Sequence, residues 1–157
     1  MRAIPVALLA LAGAPAAALC SGDTFEREYA QADLVVRARL VSERLINHDE
    51  PIPAAQRGRL GDDFPVMIYR LKIDGVYKGH AAPTETLFQV WHSGRFPIDQ
   101  GRDYLLFLSR YPKRAGLPSA TQGATYVRHA CGQSKPWVEL DGATRAKLGR
   151  LAVRPPS

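Results

Sequence analysis

Few side chains in this chain are of the types that usually carry catalysis or bind metals. The 157 residues include two cysteines and four histidines, and no histidine lies within four positions of another. No HExxH or CxxC spacing occurs, and no serine stands in a GxSxG turn. The sequence therefore predicts no catalytic residues, no metal site of the protein's own and no cofactor, so it favours a non-enzymatic protein. The histidines are His48, His80, His92 and His129.

Cys20 is the side chain whose position allows the widest range of chemistry. It lies where an apolar leader meets a polar, foldable sequence, and it could be a lipid attachment site, a nucleophile, a metal ligand, half of a disulfide or a buried thiol. A reactive thiolate needs a base and an electropositive pocket, which a position close to the mature N-terminus does not favour. A bacterial lipobox has a small residue directly before its cysteine, whereas this chain has Leu19, so a lipid anchor is also disfavoured.

The first 18 residues have the composition of a secretory signal peptide. Arg2 supplies a positive charge, residues 4–11 are apolar, and three alanines at 16–18 form a small-residue cleavage site. The segment is too short and too rich in proline for a membrane span. We therefore expect a signal peptide at 1–18 and one exported domain at 19–157, periplasmic or extracellular and without a stable membrane span. In an oxidising compartment, two cysteines are more often paired than free.

Composition and charge indicate a globular protein with a basic surface. Hydrophobic residues make up 46% of the chain and charged residues 23%, with a formal net charge of +6. This balance is typical of a folded domain rather than a disordered one. The basic residues are scattered, and no run of them is long enough for a nucleic-acid-binding tail. We expect no nucleic-acid partner, although a basic surface favours anionic ones.

Five segments have the pattern of β-strands, and together they predict a small closed barrel. Each alternates or concentrates apolar residues between turn-forming ones, and closing five short strands into a barrel removes exposed sheet edges. Gly75 interrupts the alternation of the second segment, which indicates a bulge. The segments are LVVRARLVSERLI (34–46), VMIYRLKIDGVYKG (66–79), ETLFQVWH (85–92), DYLLFLSRY (103–111) and ATYVRHA (124–130).

Two helices and one long loop complete the expected elements. A short helix over 24–32 has Asp23 or Thr24 as its cap, and a closing helix begins after the cap Asp141. Residues 47–65 contain three prolines and two glycines without an apolar period, which predicts a long exposed loop. Loops of this length in compact domains are often functional.

Four motifs, in their order and spacing, resemble the tissue inhibitors of metalloproteinases (TIMPs) and the wider netrin-like module. They are AQADLVVRARLVS, GVYKG, QGRDYLLFLS and ACGQSKPWVEL. The resemblance covers roughly residues 20 to 148 and is to a divergent, bacterial-type form of the module. It implies an all-β fold with flanking helices: a five-stranded OB-fold barrel with a short N-terminal helix and a C-terminal helix.

The resemblance also implies one disulfide and the loss of another. The family's second cysteine falls on Cys20 and its late cysteine on Cys131, so Cys20–Cys131 is the expected bond. The family's first cysteine falls on Ala18, and the position of its partner falls near Ser93. Neither position holds a cysteine here, so this chain departs from the family's pattern at its N-terminus.

The function that the resemblance implies is inhibition of a metalloendopeptidase. In the family, the mature N-terminal amine and carbonyl chelate the catalytic zinc of the target protease. The corresponding contact residues here are Ala18, Leu19, Cys20 and Ser21, and loop 47–65 is a second candidate contact. The alternative is a netrin-like binding module for another extracytoplasmic protein or an anionic glycan, without protease inhibition. In either case we expect a monomer.

Overall fold

The structure, a computed structural model, describes residues 23–46, 66–90, 95–111, 123–128 and 132–151. Within these ranges the chain forms six strands, two α-helices and one 3-10 helix. In chain order these are α1 (Phe25–Gln31), β1 (Leu34–Ile46), β2 (Val66–Lys78), β3 (Thr84–Val90), β4 (Asp103–Arg110), β5 (Thr125–Val127), β6 (Lys135–Pro136), the 3-10 helix (Trp137–Glu139) and α2 (Gly142–Leu151).

The first five strands close into a barrel. β1 pairs antiparallel with β2 on one side and with β4 on the other, and β2 continues antiparallel to β3. β5 fills the gap between β3, to which it is parallel, and β4, to which it is antiparallel. This arrangement fits the OB fold and confirms the predicted five-stranded barrel with one helix at each end of the chain. β6, which adds to the outer edge of β4, was not predicted.

A bulge in β2 lets the long β1–β2 hairpin bend around the barrel. Arg37 pairs with Gly75, whereas the next residue, Ala38, pairs with Ile73, so one residue of β2 is left over. Buried residues alternate along β2 up to Ile73 and resume out of phase at Val76. The bulge predicted at Gly75 is confirmed, and it increases the local twist that barrel closure requires.

The core has two parts, one on each face of β1 and β4. The larger part fills the barrel and includes Leu34, Val36 and Leu106. The smaller part lies between the barrel and the two helices and consists of Ala32, Val35, Leu105, Phe107, Leu140 and Leu148. Because α1 and α2 cover its outer face, β4 is buried on both sides, which explains why YLLFL reads as a continuous apolar run rather than an alternating one.

Both helices begin at the caps that the sequence indicates. The Thr24 hydroxyl accepts the backbone N–H of Arg27 at 3.3 Å, so Thr24 rather than Asp23 caps α1. The Asp141 carboxylate accepts the N–H of Thr144 at 2.6 Å, and this hydrogen bond lowers the pKa of Asp141. Among the described residues, no helix has the length and apolar composition that crossing a membrane requires.

Candidate functional site

The predicted N-terminal contact and the predicted disulfide lie outside the described residues, as does loop 47–65. The described chain begins at Asp23, shortly after Cys20, and resumes at Gly132, directly after Cys131. The described residues nearest to these features are therefore Asp23 and Gly132. The site residues concerned are Ala18, Leu19, Cys20, Ser21 and Cys131.

The described residues nearest the two cysteines contact each other through Gln133. Its side-chain Nε2 donates to the backbone carbonyl of Asp23 at 2.8 Å, and its backbone N–H donates to Oε2 of Glu28. The Glu28 side chain, on α1, is completely buried. We call this group the α1 clamp; it consists of Asp23, Glu28, Gly132 and Gln133.

Gly132 leaves the space that the Glu28 carboxyl group occupies. A Cβ built on Gly132 would lie 2.6 Å from Oε2 of Glu28 and 2.8 Å from its Cδ, far inside van der Waals contact. Only a residue without a side chain lets the carboxyl group pack directly on the backbone at this point. The α1 clamp therefore combines hydrogen bonding with a steric fit.

Further contacts attach α1 firmly to the barrel. The Phe25 ring packs edge-on against Phe107, with centroids 5.5 Å apart, and the Tyr29 hydroxyl donates to the carbonyl of Tyr77 at 2.7 Å. At the C-terminal end of α1, Lys78 Nζ donates to two backbone carbonyls at 2.6 and 2.9 Å. A cation at this end also complements the helix dipole.

The segment after Cys131 is fixed on its other side as well. The Ser134 hydroxyl is buried and accepts the backbone N–H of Phe107 at 2.9 Å. Residues 132–134 are thus attached to α1 through Glu28 and to β4 through Phe107. This double attachment fixes the position of the chain directly before β6.

The far end of the β1–β2 hairpin carries a cavity of about 360 Å³. Ile46 pairs with Val66, so loop 47–65 leaves and re-enters the sheet at neighbouring positions. Burial raises the pKa of Tyr69 at the cavity wall, while a hydrogen bond with Arg95 acts in the opposite direction. The lining residues are Glu43, Leu45, Met67, Tyr69, Arg95, Pro97, Ile98 and Asp99.

A cluster of arginines surrounds Asp103 on the outer face of the barrel. Oδ1 of Asp103 accepts from Nε of Arg39 at 2.6 Å, and Oδ2 accepts from Nε of Arg37 at 3.1 Å. The hydrogen bond from Arg39, opposed by burial and supported by Arg37, lowers the pKa of Asp103. The guanidinium carbon of Arg37 lies 4.7 Å from the ring centroid of Trp137, and that of Arg145 lies 5.8 Å from it.

A groove of about 440 Å³ borders this cluster, and we call it the arginine groove. Its charged lining residues are three arginines and two carboxylates. Arg39 and Arg102 have side chains that are 51% and 61% exposed, so both are accessible to a ligand. The charged lining residues are Arg39, Arg102, Arg145, Asp103 and Glu139.

Two types of side chain that often form sites, metal ligands and strand aromatics, have the following placement in the described residues. Within the described ranges, no group of three or more histidine, cysteine, aspartate or glutamate side chains could hold a metal ion. Three aromatic residues on the strands, Tyr69, Phe88 and Phe107, are buried. Their rings pack in the core and are not presented as a stacking surface for bases.

The α1 clamp was not predicted from the sequence, although the position of Glu28 on an apolar helix face indicates such a contact. Phe25, Tyr29 and Ala32 lie on one face of α1, and Glu28 falls on the same face. A carboxyl group on an apolar helix face needs a hydrogen-bond donor from another element. The identity of that donor, the backbone of Gln133, cannot be read from local spacing.

The fold defines this chain as an OB-fold barrel protein with two flanking helices. No family model matches the chain, and a comparison with curated proteins also gave no match. The barrel fits the five-stranded barrel expected from the sequence.

Proposed function

We propose that this chain is an exported, non-enzymatic netrin-like module that inhibits a zinc metalloendopeptidase through its mature N-terminal segment. The observation that carries the proposal is the hydrogen bond from Gln133 Nε2 to the carbonyl of Asp23, 2.8 Å long. It holds the chain just after Cys20 against the segment just after Cys131. A terminus that enters a protease cleft binds tightly only if it is held in place beforehand, because ordering a segment on binding costs affinity.

The same contact supports the Cys20–Cys131 disulfide as part of the proposal. A disulfide requires Cα atoms about 4.4–6.8 Å apart, and a chain covers at most about 3.6 Å per residue. Asp23 lies three residues from Cys20, and Gln133 lies two residues from Cys131. The contact between Asp23 and Gln133 is therefore compatible with a bond between the two cysteines, because only a few residues separate each cysteine from it.

The chemistry of inhibition would reside in the first residue of the mature chain. A deprotonated α-amino group and the adjacent carbonyl oxygen can occupy the open position of a catalytic zinc, which belongs to the protease. The ordinary pKa of an α-amino group is about 8, so inhibition should weaken as the pH falls below this value. Cleavage after Ala17 would place Ala18 first, in register with the family, whereas cleavage after Ala18 would place Leu19 first.

The test is inhibition by the purified mature protein, with its first residue established by N-terminal sequencing. Acetylation of the α-amino group should weaken inhibition of a responsive zinc endopeptidase at least about hundredfold, a loss of about 2.7 kcal/mol. A single glycine added at the N-terminus should do the same, because it displaces the amine by one residue. The same glycine added at the C-terminus is the control and should change nothing. Undiminished inhibition by the acetylated protein would rule out chelation.

The arginine groove supports a second candidate function, binding of an anionic glycan. Within the described ranges Arg39 donates from its Nε to Asp103, and its side chain remains 51% exposed at the groove. Arg102 makes one exposed ion pair with Asp99 at 3.2 Å. Guanidinium groups with open donor edges suit carboxylate and sulfate groups, and the net charge of +6 would attract such polymers from a distance.

Glycan binding can be tested with sulfated and uronic-acid oligosaccharides of defined length. The double variant Arg39→Gln, Arg102→Gln should lose roughly 10–100-fold in affinity, since hydrogen bonds to charged groups contribute about 1.5–3 kcal/mol. The double variant Arg27→Gln, Arg150→Gln removes the same charge elsewhere and is the control. Equal losses in both double variants would indicate attraction by net charge alone, without a site.

A further inference from the structure

We infer that Glu28 is the residue that positions the N-terminal segment. Its buried carboxyl group fixes Gly132 and Gln133 against α1, so that Asp23 and Gly132, the described residues nearest the two cysteines, are held together without a covalent bond. The benefit to inhibition rests on the proposed function. The positioning itself does not, because it can be measured on the free protein.

The burial of Glu28 calls for a structural role. The residue is 0% exposed, and a buried carboxyl group is tolerated only where its oxygens accept hydrogen bonds. The backbone N–H of Gln133 supplies one such bond across 105 residues of sequence. An apolar residue at this position would fill the space but would leave that N–H without its acceptor, which costs stability when the group is buried.

The fit at Gly132 is a second, independent observation. A Cβ at this position would overlap the Glu28 carboxyl group, so the backbone here is shaped around that group. The Gln133 side chain donates to the carbonyl of Asp23. Glu28 therefore acts on the N-terminal segment through Gln133, which contacts both α1 and Asp23, two residues before α1 begins.

Glu26 provides a matched control on the same helix. It lies two residues from Glu28, its side chain is 69% exposed, and it pairs with Lys147 rather than with the 132–133 turn. Replacing Glu26 removes a carboxylate and an ion pair from α1 but leaves the α1 clamp intact. Any effect that Glu28 variants show and Glu26 variants lack is thus specific to the clamp.

The first measurement is hydrogen exchange at the Gln133 amide in protein whose two cysteines are replaced by serine. In this background Glu28→Ala should raise the exchange rate of that amide roughly tenfold, as expected for one lost hydrogen bond. Glu28→Gln should restore part of the protection, because its amide oxygen still accepts a hydrogen bond. Glu26→Ala should leave the rate unchanged.

The second measurement is the effective concentration of the two thiols in the cysteine-containing protein, from disulfide exchange with glutathione. Glu28→Ala should lower it roughly tenfold relative to Glu26→Ala, since the same hydrogen bond holds the segments together. Gly132→Ala keeps Glu28 but displaces its carboxyl group, so it should lower the value too. This variant also tests the contact if Glu28→Ala fails to fold.

The outcomes separate the inference from the proposed function. If Glu28→Ala and Gly132→Ala leave exchange at Gln133 and the thiol concentration at the level of Glu26→Ala, the positioning role is overturned. If both quantities change and no zinc endopeptidase is inhibited, the positioning role stands and the proposed function fails. If a protease is inhibited equally by the wild type and by a variant that has lost the clamp, the positioning role measured on the free protein stands, and its benefit to inhibition is overturned.

Discussion

Asp103 shows how one side chain fixes the register of two strands from outside the barrel. It lies on β4 directly opposite Arg39 of β1, and its two oxygens accept from different arginines of β1. With its side chain only 13% exposed, this carboxylate depends on both cations for compensation of its lost hydration. A slip of β1 by one residue would move both arginines to the opposite face.

The lowered pKa of Asp103 predicts a dependence of stability on pH. The ionised form is favoured in the folded state, so the stabilisation is complete above the ordinary value of 3.8 and is lost as the pH falls through the lower folded-state pKa. We expect Asp103→Asn to reduce the free energy of unfolding by about 1–2 kcal/mol at neutral pH. The reduction should shrink well below pH 3.8, where the wild-type carboxylate is protonated too. Urea unfolding at several pH values measures it.

The control for this prediction is Asp74→Asn. Asp74 pairs with the exposed Lys72 at 3.3 Å, and such a surface pair contributes at most about 1 kcal/mol. A loss for Asp103→Asn that is the same at neutral and acidic pH would show that shape rather than charge is responsible.

The connection from β2 to β3 depends on Gly79 for two separate reasons. Its φ is 77°, in the left-handed region, and a Cβ there would collide with the carbonyl oxygen of Asp33. Gly101, in the turn before β4, has a similar φ of 79° but no atom within 4 Å of its would-be Cβ. The two glycines therefore separate backbone strain from steric collision.

We expect Gly79→Ala to destabilise the protein considerably more than Gly101→Ala. The left-handed conformation alone costs about 1 kcal/mol for alanine, whereas the collision at Gly79 forces β1 away from the turn and should bring the total to about 3 kcal/mol or more. Chemical denaturation of both variants measures the difference. Equal losses of unfolding free energy in the two variants would mean that the backbone at Asp33 can move away from the new Cβ without loss of stability.

At the scale of the whole molecule, the barrel could be predicted because most of its strands can be recognised from the apolar pattern of their own residues. Alternation along β1 and β2 and the apolar run of β4 are each visible within one element, and β1 has the bounds expected for it. β6 was missed because two residues carry no period. Closure of the barrel could be inferred only from the number of strands, because no local pattern shows which strands pair. The parallel pairing of β3 and β5, for example, joins Leu87 and Thr125, which are far apart in sequence.

The candidate site could be predicted only in part, because contacts between residues far apart in sequence leave no local pattern. The family resemblance implies Cys20 and Cys131 as partners and loop length indicates 47–65, and these predictions lie outside the described residues. The α1 clamp joins residues 105 positions apart, and no periodicity within α1 could name Gln133 as the partner of Glu28. Burial of a carboxyl group becomes visible only once the barrel brings both segments together.

The span of the α1 clamp has a consequence for the order of folding. Domains are synthesised from the N-terminus, and contacts distant in sequence form late because closing long loops is slow. β1 can pair with β2 early and with β4 after a separation of 64 residues, but α1 receives Gln133 only when nearly the whole barrel exists. Of the described elements, α1 is made first and has its surroundings completed last, and a chain shortened before residue 132 would lack the α1 clamp.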